Sequence, residues 1–304
     1  MNSARLRAYL LLTFTAVLWG LAGPIIKLTL GEISSFPFLV YRFGLSSVFA
    51  LIYAFATHFR HIPRKFDLLL FVLAYAFLNS TVALGFLFEG LEKTTVLDMS
   101  LISMFGPLLI SAAGVKFLNE KITKREKIGI AIAFIGTFFT VIEPIIISGD
   151  GFGKITGNLL ILASLIVAAI VTVLDKKLLR DGVDPTFLAN ISFVVGFVTI
   201  TPLAIAQTGF PALVESLRGL SLSGHLGVAY MAIISGTLAY SLWNMAQKTI
   251  EISEASLFAY LYPLFAAPLA VIWLGEKVTP VFLIGAAIVA VGVGVAEVKK
   301  RSYN

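Results

Sequence analysis

The sequence predicts an all-α integral membrane protein with ten transmembrane helices, arranged as two inverted five-helix repeats with both termini inside the cell. Three observations predict this fold. The 304 residues are 58% hydrophobic and 13% charged, whereas soluble domains average about 25% charged residues. Long segments without Asp, Glu, Lys or Arg recur, and a membrane-spanning helix needs about 20 mostly apolar residues. The similar heptapeptides LNEKITK and LGEKVTP begin at positions 118 and 274.

Each long apolar segment is expected to be a helix rather than a strand. The period-two alternation of a membrane barrel is absent, and a helix satisfies its backbone hydrogen bonds within one segment. In order along the chain, the helices are expected at about residues 8–29, 36–57, 67–88, 95–117, 126–147, 156–177, 185–206, 223–247, 254–274 and 279–298. The linkers between them are too short to hold a soluble domain.

The basic residues predict the orientation, because lysine and arginine in short loops collect on the cytoplasmic side. With the N-terminus inside, seventeen basic residues fall on the inner side and five on the outer side. This bias predicts a multi-pass protein of the cell (inner) membrane with both termini inside. It also explains the net charge of +6 without nucleic acid as a partner.

The doubled motif extends into a longer internal repeat. Residues 100–136 match residues 256–292 at 14 of 37 positions, including Pro107 with Pro263 and the Glu-Lys pair of each motif. We therefore expect a first repeat over residues 1–148 and a second over residues 149–304. Because five is odd, the second repeat must be inverted in the membrane, an architecture found in many secondary transporters with a binding site near the midplane.

Each repeat has a proline thirteen residues before its glutamate, then Asn/Gly-Glu-Lys, then two glycines seven residues apart. This pattern resembles the EamA-type members of the drug/metabolite transporter superfamily over essentially the whole chain. The resemblance implies export of small metabolites, including amino acids, without an ATP-hydrolysing subunit. Two alternatives remain open: an antiporter of phosphorylated or nucleotide-linked metabolites, and a polytopic membrane protein that does not transport.

No enzymatic activity, cofactor or metal is expected. The chain has no cysteine, and its three histidines lack the spacing of metal ligands. The hydrolase motifs H-E-x-x-H and G-x-S-x-G are also absent. The expected partners are a small-molecule substrate and the lipid bilayer, and the chain is expected to be a monomer or a homodimer.

The paired prolines are candidates for the walls of a transport pathway. They lie about 20 Å from the repeated glutamates along an ideal helix, which places them near mid-bilayer. A proline removes the bond to the carbonyl four residues back, so Pro107 and Pro263 are expected to free the carbonyls of Ser103 and Ala259. Helices 4 and 9 would then bend and line the pathway, although a simple packing kink is the alternative.

Aromatic and polar residues within the spans are further candidates for substrate binding. Trp19 and Tyr262 lie mid-span, where an interfacial aromatic belt does not explain them. Arg42 could bind a carboxylate or pair with an acidic residue, or its side chain could snorkel to the interface. The expected substrate and pathway residues are Trp19, Arg42, Asn79, Ser103, Pro107, Tyr260, Tyr262 and Pro263.

Charged residues near the helix ends divide into two groups. Glu89, Asp98 and Glu143 are candidate carboxylates for proton coupling, with an ordinary interfacial role as the alternative. The residues of the doubled motif are expected to be structural and to fix the turns after helices 4 and 9, with gating as the alternative. These motif residues are Glu120, Lys121, Glu276 and Lys277.

Overall fold

The computed structural model describes residues 3–57, 62–63, 65–118, 124–148 and 152–297. This part of the chain is helical and contains no strand. Ten long helices follow each other as α1 (Ser3–Leu30), α2 (Ser35–Ala56), α3 (Phe66–Lys93), α4 (Val96–Leu118), α5 (Lys124–Ser148), α6 (Phe152–Arg180), α7 (Pro185–Thr208), α8 (Leu222–Gln247), α9 (252–274) and α10 (Pro280–Glu297). A short helix that was not predicted, Phe210–Arg218, connects α7 to α8.

Eight of the described helices are long and apolar enough to cross a membrane, and α5 and α10 contain shorter apolar stretches. Large apolar side chains lie on the outside of the bundle, including Phe55 (66% exposed) and Ile272 (74% exposed). An outer surface of this kind suits contact with lipid rather than water. The prediction of an all-helical membrane protein is confirmed, while the count of ten spans, the inverted order of the halves and the orientation stay predictions.

The third helix of each predicted repeat contains a π-helical segment. These segments are Phe77–Ala83 in α3 and Tyr230–Leu238 in α8. The N–H of Leu84 donates to the carbonyl of Asn79, and the N–H of Ala239 donates to that of Ile234, each five residues back. Such segments are rare and often occur at functional sites. Their corresponding positions agree with the internal repeat.

The helices that carry the repeated prolines are interrupted just before them. In α4 the first helical segment ends at Ser103, and the second begins at Gly106. In α9 a 3₁₀ segment, Leu257–Leu261, precedes the α-helical segment that begins at Tyr262. Each proline therefore lies in the first turn of a new segment, where its missing N–H costs least.

One detail of the proline prediction is wrong. The carbonyl of Ala259 is not free, because it accepts a hydrogen bond from the N–H of Tyr262. The 3₁₀ turn brings this donor within reach, since it pairs each carbonyl with the N–H three residues ahead. The interruption at Pro263 therefore redirects a backbone bond instead of leaving the carbonyl without a donor.

The last helices of the two predicted repeats, α5 and α10, touch along their glycines. A Cβ atom added at Gly136 would lie 2.7 Å from Cγ2 of Val289 and 2.9 Å from the carbonyl oxygen of Gly285. A Cβ added at Gly292 would lie 2.8 Å from Cα of Ala133. The glycines let the two backbones approach closely, as small residues do between membrane helices.

We expect Gly292→Ala to lower the thermal stability of the purified protein. Its methyl group would overlap the backbone of Ala133, and overpacking of this kind costs about 1–3 kcal/mol. Gly294→Ala is the matched control, because no atom lies within 4 Å of its added Cβ and alanine favours helix. Thermal unfolding in detergent measures both variants. Equal unfolding midpoints for the two would contradict the close α5–α10 contact.

Candidate functional site

A cavity of about 270 Å³ lies within the bundle. Its walls come from α1, α2, α3, α4, α6, α8 and α9. Both interrupted helices and both helices with π-helical segments therefore contribute to it. The walls are mostly apolar with a few polar groups, which is the usual composition of a small-molecule site.

Most of the pathway residues expected from the sequence meet in this cavity. Its walls include Trp19, Arg42, Asn79, Ser103, Pro107 and Tyr262. Tyr260 and Pro263 belong to the same stretch of α9 but do not line the cavity, which Ala259 and Tyr262 reach instead. The 3₁₀ segment changes which α9 side chains face inward, because it has about three residues per turn.

Four aromatic side chains form a cluster on the cavity wall. The ring of Trp19 lies 5.0 Å from that of Tyr240, 5.3 Å from that of Trp243 and 6.0 Å from that of Tyr262, measured between centroids. The indole N–H of Trp19 donates to the carbonyl of Ser235 at 2.9 Å, which fixes the ring. We call these four residues the aromatic cluster.

Arg42 is buried within the bundle rather than extended to the interface. It is 1% exposed, and its guanidinium carbon lies 5.3 Å from the ring centroid of Phe88. Its Nε donates to the carbonyl of Met231, in the π-helical segment of α8, at 3.0 Å. Its Nη1 has no hydrogen-bond partner within the described part of the chain. The snorkelling alternative therefore does not hold.

Two further polar side chains in the cavity wall lack partners, and sequence analysis missed both. Asp175 is 3% exposed and Gln247 is 0% exposed. Within the described residues, Oδ1 of Asp175 and both amide atoms of Gln247 have no hydrogen-bond partner. Asp175 was missed because it lies beside two lysines near the predicted end of its helix. In the structure α6 continues to Arg180, which places Asp175 inside the bundle.

Two lysines, the half-buried Lys27 and the buried Lys176, cap helix ends at corresponding places. Nζ of Lys27 donates to the carbonyls of Leu91, Glu92 and Thr94, at 2.8, 3.1 and 2.6 Å. Nζ of Lys176 donates to the carbonyls of Gln247 and Ile250, both at 2.6 Å. Leu91 and Gln247 correspond to each other in the internal repeat, and so do Thr94 and Ile250. A lysine is well placed there, because the last carbonyls of a helix carry negative partial charge.

Glu276 of the doubled motif caps the beginning of α4. Its carboxylate accepts the backbone N–H groups of Val96 at 2.8 Å and Leu97 at 2.9 Å. Burial raises the pKa of Glu276, while these two hydrogen bonds oppose the shift. Gly275, just before it, ends α9 with a left-handed φ of 63°, which glycine adopts without strain. The turn between α9 and α10 is thus attached to α4.

One other residue of the doubled motif lies in the described part of the chain. Lys277 is exposed, and Glu120 and Lys121 lie outside the described residues.

Of the three carboxylates proposed for proton coupling, Glu89 and Asp98 are described, and neither lines the cavity. Glu89 pairs with Lys93 and accepts a hydrogen bond from the hydroxyl of Ser35. Asp98 accepts a hydrogen bond from the hydroxyl of Thr94 at 3.1 Å. The side chain of Glu143 is outside the described part.

A comparison with known protein families matches the two halves of the chain separately. The sequence profile described as "EamA-like transporter family" matches residues 6–142 and again residues 155–296. The chain is 27% identical to "Uncharacterized transporter YyaM" of Bacillus subtilis, over 98% of this chain and 97% of that protein. A solved crystal structure has a TM-score of 0.65 at 17% identity, over 98% of this chain and 99% of that one. The latter likeness shows the fold alone.

Two other relatives have more specific names. The chain is 25% identical to "Probable terminal-alkyne amino-acid exporter" of Streptantibioticus cattleyicolor, over 93% of this chain and 90% of that protein. It is 24% identical to "Probable amino-acid metabolite efflux pump" of Salmonella typhimurium, over 91% of this chain and 90% of that protein.

We expect Lys27→Met and Lys176→Met each to lower the thermal stability of the protein. Each change leaves backbone carbonyls without their charged donor, and a hydrogen bond to a charged group contributes about 1.5–3 kcal/mol. The control is Lys154→Met, which removes an exposed lysine at the beginning of α6. Unfolding midpoints measured in detergent should fall for the first two variants alone. An unchanged midpoint in both would show that the lysine caps do not stabilise the fold.

Proposed function

The chain belongs to the EamA-like transporter family, and we propose that it is a secondary transporter that exports a small amphipathic metabolite by alternating access. An amino acid or a similar compound is the proposed substrate. The observation that carries this proposal is the cavity, in which an aromatic cluster lies beside buried polar atoms without partners. Its volume of about 270 Å³ is near the lower limit of small-molecule sites, which suits a small substrate.

The proposed architecture is a pair of inverted repeats, residues 1–148 and 149–304, with both termini inside the cell. Four features support the correspondence of the halves: the two matches to the family profile, the two lysine caps, the two π-helical segments and the two interruptions before proline. In transporters built this way, one repeat rocks against the other around a fixed site. The interrupted helices α4 and α9 would bend during this motion.

Each expected substrate or pathway residue has a proposed role. Trp19 and Tyr262 would contact the apolar part of the substrate, and Arg42 and Asn79 would bind an acceptor group such as a carboxylate. The remaining residues would shape the pathway at the interruptions of α4 and α9: Ser103, Pro107, Tyr260 and Pro263.

The alternatives have less support. A phosphorylated or nucleotide-linked substrate would need several cations, and Arg42 is the one cationic side chain among the described residues that line the cavity. A polytopic protein without transport would not need a cavity lined by unpartnered polar atoms, which are costly to bury. Two relatives also have names that describe an amino-acid exporter and an amino-acid metabolite efflux pump.

Counterflow in proteoliposomes, with a panel of amino acids, sugars and cationic drugs, tests the transport proposal. We expect an amino acid or a similar compound to exchange, and Trp19→Ala and Tyr262→Ala each to reduce its uptake by about tenfold or more. Loss of an aromatic ring that the substrate covers should cost more than the about 1.4 kcal/mol that a tenfold change represents. Trp273→Ala is the matched control, because this ring is also in α9 but is 52% exposed.

Normal uptake in both cavity variants would overturn the assignment of the central site. Failure of the wild-type protein to exchange any compound in the panel would overturn the proposed substrate class. Size-exclusion profiles of the purified variants distinguish loss of transport from loss of folding.

Single cysteines at the two ends of α6 test the proposed orientation. Lys154→Cys should react with an impermeant thiol reagent added outside intact cells, whereas Asp181→Cys should react only after the membrane is opened. Both positions are exposed, and the natural sequence has no cysteine, so no background labelling is expected. The reverse labelling pattern would overturn the prediction that the termini lie inside the cell.

A further inference from the structure

Asp175 is a buried acid that faces the cavity without the partners that a buried charge requires. It lies in α6, is 3% exposed, and has no hydrogen-bond partner at Oδ1 within the described residues. An ionised carboxylate in such a place is costly unless a cation neutralises it. In membrane helices such residues mark binding sites and proton pathways. The absence of a fixed partner indicates that the Asp175 carboxylate binds a mobile ligand.

The adjacent cation does not fill this role. Lys176 follows Asp175 directly and acts on it through its charge, but its Nζ donates to two carbonyls of the α8–α9 turn at 2.6 Å each. This lysine therefore serves mainly as a helix cap. A mobile cation, either a proton or an ammonium group, could neutralise the Asp175 carboxylate from the cavity.

The other groups around Asp175 are neutral side chains. From α3, Tyr75 is close enough for the charge of Asp175 to act on its hydroxyl. From α8, the cavity wall presents the amides of Asn244 and Gln247 and the hydroxyl of Tyr240, and α9 presents Tyr262. Lys176 is thus the one charged residue that the described structure brings to Asp175.

The unpartnered atoms divide the cavity into two chemically different ends. Arg42 donates to the carbonyl of Met231, at the start of the π-helical segment of α8, whereas Gln247 ends that helix. The Arg42 end offers donors, while Asp175 offers an acceptor at the other end.

The aromatic cluster lies between these ends. Tyr240 and Trp243 come from the part of α8 between Met231 and Gln247. Aromatic rings attract ammonium groups through their π faces. A substrate with an amino group can therefore place this group near Asp175 while its apolar part contacts the rings.

We propose that the carboxylate of Asp175 binds a proton and the ammonium group of the substrate alternately, and thereby couples export to proton entry. This inference rests on the proposed transport function. When the substrate binds, the proton leaves the carboxylic acid, and the resulting carboxylate binds the ammonium group. After the substrate has been released outside, a proton rebinds and neutralises the carboxylate for the return step. One proton enters for each substrate molecule that leaves, and no other bond changes.

Infrared difference spectroscopy tests the proton site without any substrate. The protein in lipid is titrated from acidic to alkaline pH, and the C=O band of protonated carboxyl groups is recorded. We expect the wild-type protein to show a titrating band that Asp175→Asn lacks. Asp98→Asn is the control, since Asp98 is also buried but is bonded to Thr94 away from the cavity. This control should keep the Asp175 band, and identical titrations of wild type and Asp175→Asn would overturn the proposal.

Transport against a gradient tests the coupling, with a compound that the wild-type protein exchanges in counterflow. An imposed proton gradient should drive wild type and Asp98→Asn to concentrate this compound. Asp175→Asn should only equalise the concentrations of this compound on the two sides of the membrane, or fail to transport it. In wild type, the apparent KM should also rise by up to about tenfold per pH unit on acidification, because the proton competes at one carboxylate.

The two failures are distinguishable. Proton-driven accumulation by Asp175→Asn at the wild-type level would overturn this inference and leave the transport function intact. If wild type exchanges no compound, the transport function fails, and the infrared titration still decides whether Asp175 binds a proton. Asp175→Glu, which restores the carboxylate, should recover the titrating band.

Discussion

The structure depends on one constraint, which is that hydrocarbon offers no hydrogen-bond partners to backbone groups. Interruptions of a helix within the membrane must therefore be satisfied by other parts of the protein. The π-helical segment of α8 illustrates this, because side chains from α1 and α2 donate to its carbonyls. These donors are Trp19 to Ser235, Arg42 to Met231 and Ser46 to Ala232. The breaks between α3 and α4 and between α8 and α9 receive Lys27 and Lys176.

The same side chains connect the scaffold with the site. Arg42 and Trp19 each use one N–H group to hold the backbone of α8, and both also line the cavity. Their positions are therefore fixed before any ligand arrives, which lowers the entropic cost of binding. Asp175 differs, because no hydrogen bond holds its Oδ1 within the described residues. The site thus combines a rigid wall with an acid that is available to a ligand.

Sequence patterns could predict some of these features because the features are local. Apolar segment length indicated the helices, and the doubled motif indicated the interruptions near Pro107 and Pro263, since proline acts on its own helix. The π-helical segments could not be predicted, because no proline marks them and their donors come from distant helices. Burial of Asp175 also depends on packing, and its two neighbouring lysines suggested an interfacial position. The sequence left open whether the Arg42 side chain is buried or extends to the interface, because its hydrogen bond to the Met231 carbonyl depends on packing against α8.

The glycine contact between α5 and α10 has a mechanical consequence for the proposed transport cycle. These two helices end the proposed repeats and touch backbone to backbone, and their described side chains do not line the cavity. Because this contact is tight and lies outside the cavity, it would act as a pivot for the rotation of the two halves. The helices around the cavity lie further from the pivot and would move more. A small rotation at this pivot would widen one entrance and narrow the opposite one in a single movement. The geometry would thereby discourage a state with both entrances open, which would leak protons and solutes.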